Sequence, residues 1–211
     1  MVKAQGWLEF FKRAGRERQN FIKVVEPLFF RRPPHPQEFD LLEYHTRYPS
    51  DIYGHLPTLF MLSTEFKSRT IVELGTRGGL STTAFLLAAK KTGGHVFSFD
   101  IDPCTDAKKQ IELLGLEEYW TFTQADDLKV PWDRTIDHLF IDTSHTFAHT
   151  LAELQKFERY VKQGGILTMH DFVSFAEVDD ALRKYTENRP DLRIYRYFNN
   201  NGLAVIFKGN L

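Results

Sequence analysis

The sequence predicts an α/β protein: an open, mostly parallel seven-stranded sheet with helices on both faces and an antiparallel hairpin at one edge. Three observations carry this. From Asp51 onward, short apolar runs rich in β-branched residues alternate with helical stretches, the pattern of parallel βαβ units. The glycine-rich turn Gly75-Thr76-Arg77-Gly78-Gly79 leads from the first such run straight into the apolar stretch Ala84 to Ala89. Finally, Asn199-Asn200-Asn201-Gly202 joins the last two runs, an Asn-Gly signal for a hairpin.

Residues 1–30 mix Trp7, Leu8, Phe10, Phe11, Phe21 and Phe29 with Lys12, Arg13, Arg16 and Arg18, in helical spacing interrupted by Gly15. Arg31-Arg32-Pro33-Pro34-His35-Pro36 breaks any helix, because proline lacks the amide hydrogen and restricts the residue before it. Segment 1–50 is therefore expected to be an N-terminal helical extension, a cap or strap that supports a homodimer, with residues 51–211 as the main domain. Its aromatics Phe29, Phe30, Tyr44 and Tyr48, with Tyr53, suit a lid, a dimer surface or core packing.

Leu56, Leu59, Phe60, Leu62 and Phe66 form one helical face, with Pro57 tolerated in the first turn. A strand over 70–74, a helix over 80–91 ended by Gly93-Gly94 and a strand over 95–100 follow. A helix is expected over 106–115, a strand over 119–124 leading to Ala125-Asp126-Asp127, and a buried strand over 136–141 ending at Asp142. Next come a helix over 146–160 closed by Gly164-Gly165, and a strand over 166–169 ending at His170-Asp171. The last elements are a helix over 175–186 and strands over 193–198 and 203–207.

With 211 residues, 42% hydrophobic and 26% charged, the chain is long enough for one sizeable core. A formal net charge of −1 gives no global reason to expect a nucleic-acid partner. The single cysteine, Cys104, excludes an intrachain disulfide and suits a reducing cytoplasm. No apolar run approaches the roughly 20 residues of a membrane span, and no signal core is present, so a cytoplasmic location is expected.

In open α/β sheets, ligands bind beyond the carboxyl ends of the strands. Asp100, Asp126, Asp142, His145, His170 and Asp171 all fall at such ends. The spacing Glu73-x-Gly75-x-x-x-Gly79, with Asp100 after the second strand and the later Asp142-x-x-His145 and His170-Asp171 pairs, resembles the class I S-adenosylmethionine-dependent methyltransferases. Within them it is similar to small-molecule O-methyltransferases of the catechol and macrolide-sugar types (methyltransferase family 24-like). The resemblance covers residues 52 to 211 and implies a Rossmann-like sandwich, S-adenosylmethionine as cofactor and a small hydroxylated acceptor, a sugar or natural product.

It also implies roles. Asp100 would accept hydrogen bonds from the ribose hydroxyls and Ile101 would lie against the adenine. Asp126, or in its stead Asp127, would approach the adenine amino group. Gly75, Thr76, Arg77 and Gly79 would set backbone against the methionine portion. Ser81 would bind its carboxylate at the helix start, where free amides favour an anion. Glu73 either joins this cofactor set or holds the glycine loop. Asp142 and Asp171, with backbones about 5 Å apart on adjacent strands, would hold Mg²⁺ through oxygen. The family's third ligand position is Phe172, which cannot coordinate, and His170 would substitute. Without a metal, Asp142 would contact the cofactor tail and Asp171 a loop. His145 is the expected base, His170 the second choice, and His138 and His149 are expected bystanders. Two other readings stand beside this one: a non-catalytic interaction subunit on the same fold, and an NAD-dependent oxidoreductase.

Overall fold

A computed structural model describes residues 50–209. The expected extension over 1–50 therefore lies outside the described residues except for Ser50.

Seven strands form one sheet in the order β3-β2-β1-β4-β5-β7-β6. They are β1 (Thr70–Leu74), β2 (His95–Asp100), β3 (Trp120–Gln124), β4 (Ile136–Ile141), β5 (Val161–His170), β6 (Leu192–Tyr197) and β7 (Leu203–Lys208). The first five pair in parallel; β7 lies antiparallel to both β5 and β6. The helices are α1 (Leu56–Glu65), α2 (Leu80–Thr92), α3 (Thr105–Leu113), α4 (Phe147–Phe157) and α5 (Ala176–Thr186). The fold class and the edge hairpin are as the sequence predicts.

Strand alternation divides the apolar residues between two layers. Ile71 of β1 faces the layer of α1, α2 and α3, with Leu56, Leu59, Phe85, Leu86 and Ile111. Val72 and Leu74 face the other layer, with Leu154 and Phe157 of α4 and Val178 and Leu182 of α5. Helix α2 is buried from Ser81 to Ala89 on every side, which explains its almost charge-free sequence.

The strand over 166–169 starts five residues earlier than expected. Val161 pairs with Ile136, and pairing resumes only at Ile166 opposite His138. Residues 162–165 bulge between these two points, with Gly164 at φ +74°. Gly164-Gly165 therefore shapes a bulge inside β5, where the sequence pattern suggested a helix stop. Helix α4 accordingly ends at Phe157, and one 3-10 turn, Glu158–Tyr160, leads into the strand. At the hairpin Asn200, Asn201 and Gly202 all have positive φ.

Candidate functional site

The chain order places the strand-order reversal at β1, which feeds β2 on one side and neighbours β4 on the other. In open α/β sheets ligands bind beyond the carboxyl ends of the strands at such a reversal. Gly75 has φ +90°, and a Cβ there would meet the Asp142 carbonyl oxygen at 1.9 Å, so only glycine permits this approach of the β1 and β4 ends. Gly79, at φ +83°, precedes α2 as its N-cap, and a Cβ there would strike Ala107 at 2.8 Å.

Asp100, at the end of β2, organises the loop. Its Oδ2 accepts from the Thr76 and Arg77 amides at 2.8 and 2.9 Å, and its Oδ1 from the Asp102 amide at 2.9 Å. Burial opposes its charge, but the amides of Arg77, Asp102 and Thr76 outweigh that and hold its carboxyl below the usual value. Beside it Ile101 is 70% exposed, an apolar surface at a strand end. The Thr76 hydroxyl is buried without a hydrogen-bond partner. Arg77 points outward and pairs with Asp51 at 2.7 Å.

Glu73 and Ser81 sit differently from a ligand-contacting pair. Glu73 is fully buried, and its carboxylate accepts from Ser81 Oγ (2.7 Å), Thr82 Oγ1 (2.8 Å) and Ser98 Oγ (2.6 Å). Of the two sequence readings of Glu73, this is the one in which it holds the glycine loop. The Ser81 hydroxyl donates to Glu73 at the helix start. Asp126 caps the 3-10 turn Asp127–Lys129 by accepting from the Leu128 amide at 3.0 Å, and pairs with Lys129 at 2.9 Å.

The ends of β4 and β5 bring together Asp142, His145, His170 and Asp171. His145 Nε2 lies 2.8 Å from Asp171 Oδ2 and 4.0 Å from Asp142 Oδ1, and its ring stacks on Phe175 with centroids 3.9 Å apart. It is part-exposed, and Asp142, assisted by Asp171, raises its pKa against the opposing effect of burial. His170 is buried between these acids. His170 Nε2 is 3.0 Å from the Asn200 carbonyl, to which it donates. Its Nδ1 faces Asp142 Oδ1 and Asp171 Oδ1, each at 3.5 Å. Burial alone would lower the His170 pKa; the facing carboxylates of Asp142 and Asp171 push it up to about 10. Below it His55, in edge contact at 5.8 Å, is held neutral, its pKa lowered to about 4 by burial.

One donor atom each from Asp142, His170 and Asp171 lies within 4.8 Å of the others. His170 Nδ1 and Asp171 Oδ1 are buried without hydrogen-bond partners, and Asp171 has φ +67°. The two carboxylates fit a divalent ion, and His170 fits as a third donor when it is deprotonated. Phe172 packs on Phe198 at 5.5 Å, away from any ligand role.

His138 is a buried core histidine, within 2.8 Å of both Ser63 Oγ and Thr168 Oγ1, as expected of a bystander. His149, also expected to be one, instead sits in a second ionisable group with Asp127 and Glu153. The i,i+4 spacing of His149 and Glu153 on a helix was the available signal. Phe175 beneath His145 gave no comparable sign.

Residues 72–172 match the family model described as a methyltransferase domain. Over 94 residues the chain is 36% identical to the L-histidine 2-aminobutanoyltransferase of Yersinia pestis, spanning 44% of this chain and only 34% of that relative. Among solved structures, the S-adenosylhomocysteine-bound Podospora anserina methyltransferase superimposes with a TM-score of 0.63 at 13% identity, covering 91% of this chain and 97% of that one. The O-methyltransferase of Bacillus cereus, also in complex with S-adenosylhomocysteine, gives 0.63 at 16%, covering 88% and 96%. The Streptomyces achromogenes O-methyltransferase involved in tomaymycin synthesis, bound to S-adenosylmethionine, gives 0.61 at 14%, covering 92% and 98%. At these identities the likeness is one of fold. Among the described residues, no helix is long and apolar enough to cross a membrane.

Proposed function

From the premise that residues 72–172 form a methyltransferase domain on a class I methyltransferase fold, we propose that the chain transfers a methyl group from S-adenosylmethionine to a hydroxyl oxygen of a small molecule. The observation that carries this is the convergence, at one end of adjacent strands, of the Gly75–Gly79 loop with Asp100 on one side and the Asp142–His145–Asp171 group on the other. S-adenosylmethionine supplies an electrophilic methyl on a sulfonium.

The chain's own residues do the rest. Asp100 holds the loop amides and offers its remaining lone pairs to a ribose diol. Ile101 covers one face of the adenine, and Asp126 accepts from its amino group. Gly75, Thr76 and Gly79 line the methionine portion, with the partnerless Thr76 hydroxyl available as a donor. Arg77 contributes its backbone, because its side chain is engaged with Asp51. Glu73 and Ser81 support the loop from beneath.

His145 takes the proton of the acceptor hydroxyl, held in orientation by Asp171 and by the Phe175 ring. His170 fixes Asp142 and Asp171 and is a positioning residue. Asp142 and Asp171 would hold Mg²⁺ if the reaction uses it, which would lower the acceptor's pKa. In-line alignment of oxygen, methyl and sulfur contributes the remainder as proximity.

The Yersinia pestis relative motivates a second reading. Attack on the methyl carbon leaves S-adenosylhomocysteine, whereas attack on the aminobutanoate carbon attached to the same sulfur leaves methylthioadenosine. Isothermal titration with S-adenosylmethionine, S-adenosylhomocysteine and NAD tests the cofactor. Binding of the first two and not NAD is expected; binding of NAD alone would reject the proposal. Mass spectrometry of reactions with a panel of hydroxylated sugars and natural products then identifies the nucleoside product. S-adenosylhomocysteine is expected, and methylthioadenosine would select the second reading. Cofactor binding with no turnover and no effect of His145→Ala would favour a non-catalytic subunit.

A further inference from the structure

A second group of side chains has ligand-binding chemistry and no task in methyl transfer. Asp127 opens the 3-10 turn after β3, and His149 and Glu153 stand one turn apart on α4. One donor atom from each lies within 4.8 Å of the others. Asp127 is 5% exposed and Glu153 fully buried, yet Asp127 Oδ2 and Glu153 Oε2 have no hydrogen-bond partner. Glu153 Oε1 accepts from the Thr143 hydroxyl at 2.5 Å. The nearest ammonium, Lys156 Nζ, donates to the backbone carbonyls of Asp127 and Val130.

Two buried carboxylates facing one imidazole need a proton or a cation to balance their charge, and burial already raises the Glu153 pKa to about 7. His149 Nε2 is 3.3 Å from Asp127 Oδ1 and 3.5 Å from Glu153 Oε1, long for hydrogen bonds. These separations match another geometry. A tetrahedral ion with ligand bonds of about 2.0–2.1 Å separates its donors by roughly 3.3 Å. An imidazole nitrogen with two carboxylates suits zinc and its first-row neighbours, and here the imidazole nitrogen lies at the tetrahedral donor spacing from both acids.

We propose that Asp127, His149 and Glu153 bind a first-row divalent transition-metal ion, best matched by Zn²⁺, separately from the Asp142–Asp171 group. The ion fastens the loop after β3, which also carries Asp126, onto α4. Through Thr143 it reaches the residue next to Asp142. This site stands whether or not the methyl-transfer reading holds.

The test uses the full chain, stripped with a chelator and titrated with Zn²⁺ by calorimetry and with Co²⁺ by visible absorption. An Asp142→Asn/Asp171→Asn double variant is expected to keep one tight Zn²⁺ equivalent and the visible bands of a low-symmetry Co²⁺ site. His149→Ala is expected to lose both, with Zn²⁺ affinity falling about 100-fold or more. Zn²⁺ should raise the melting temperature of the wild type and not of His149→Ala. Should His149→Ala fail to fold, Glu153→Gln, which retains the carbonyl facing Thr143, takes its place with the same expectation. Unchanged Zn²⁺ affinity in these single variants, loss of binding only in the double variant, or no binding by the wild type would overturn the proposal. Titration of each protein with S-adenosylhomocysteine reports on the methyl-transfer reading independently.

Discussion

The two ends of the sheet treat buried charge in opposite ways. Where β4 and β5 begin, acids meet permanent cations and backbone amides. Asp137 accepts from the Arg69 and Thr70 amides at 2.8 Å each and pairs with Lys162. Glu158, 4% exposed, is 2.7 Å from Lys208, accepts from the Tyr185 hydroxyl at 2.7 Å and lies 3.3 Å from Arg189. At the carboxyl ends of the strands, Asp127, Asp142, Glu153 and Asp171 meet His145, His149 and His170 across 2.8 to 4.0 Å. Among the described residues, no lysine or arginine forms an ion pair with those four acids. A lysine or arginine keeps its charge across the physiological range, whereas a histidine's charge is set by its neighbours: Asp142 and Asp171 hold His170 protonated up to about pH 10, and Glu153 with Asp127 holds His149 protonated up to about pH 9. One end is fastened by permanent cations; the other by imidazoles.

Single substitutions break this contrast in opposite directions. His145→Ala is expected to lower turnover of the acceptor found by the screen by roughly 10²- to 10⁴-fold. Its S-adenosylhomocysteine affinity and unfolding midpoint should stay close to wild type, since the ring is part-exposed. Comparable loss of cofactor binding would mean that His145 is structural instead. At the end held by permanent cations Glu158→Ala should do the reverse. Removing the acid leaves Lys208 without its carboxylate, while Arg189 keeps its pair with Asp191, and about 3 kcal/mol of stability in urea unfolding should be lost. The folded fraction should still bind S-adenosylhomocysteine normally. Asp100→Ala has a smaller expected effect, a 10- to 100-fold weaker calorimetric affinity for S-adenosylhomocysteine, about 1.4–2.8 kcal/mol. It removes the anchor of the Thr76 and Arg77 amides and, on the proposed reading, the ribose acceptor.

The sequence carried the architecture because its signals are local. Period-two and helical apolar patterns sort Ile71 from Val72, and Asn-Gly marks the hairpin. Asp100, Asp142 and Asp171 were legible as site candidates because they follow strands whose ends must lie together in a parallel sheet. Other features depend on which side chains meet. Glu73 is held by hydroxyls 8, 9 and 25 residues further on, and a lone acid in an apolar strand does not announce that environment. Gly164-Gly165 is equally good as a helix stop and as a bulge, and only the pairing of Val161 with Ile136 decides. The sequence does not announce the His149 group, because its partner Asp127 comes from a turn 22 residues earlier, brought close by α4 packing beside that turn.

Glu73 sharpens the contrast from between the two ends, being a buried acid with neither a permanent cation nor a histidine. Burial raises its pKa to about 7, while the hydroxyls of Ser98, Ser81 and Thr82 pull the other way. Because the folded-state value exceeds the ordinary 4.5, the folded chain holds this proton more tightly than the unfolded one. The corresponding stability is complete below about pH 4.5 and is lost as pH rises through about 7, a total of about 3 kcal/mol. Glu73→Gln cannot ionise, and its carbonyl still accepts from the surrounding hydroxyls. Urea unfolding of both proteins across pH 5 to 8 should therefore show the variant gaining on the wild type as pH rises, with most of the gain below pH 7. A stability difference independent of pH would mean that Glu73 keeps one charge state throughout, with its three hydroxyl donors sufficient to stabilise the carboxylate in the core.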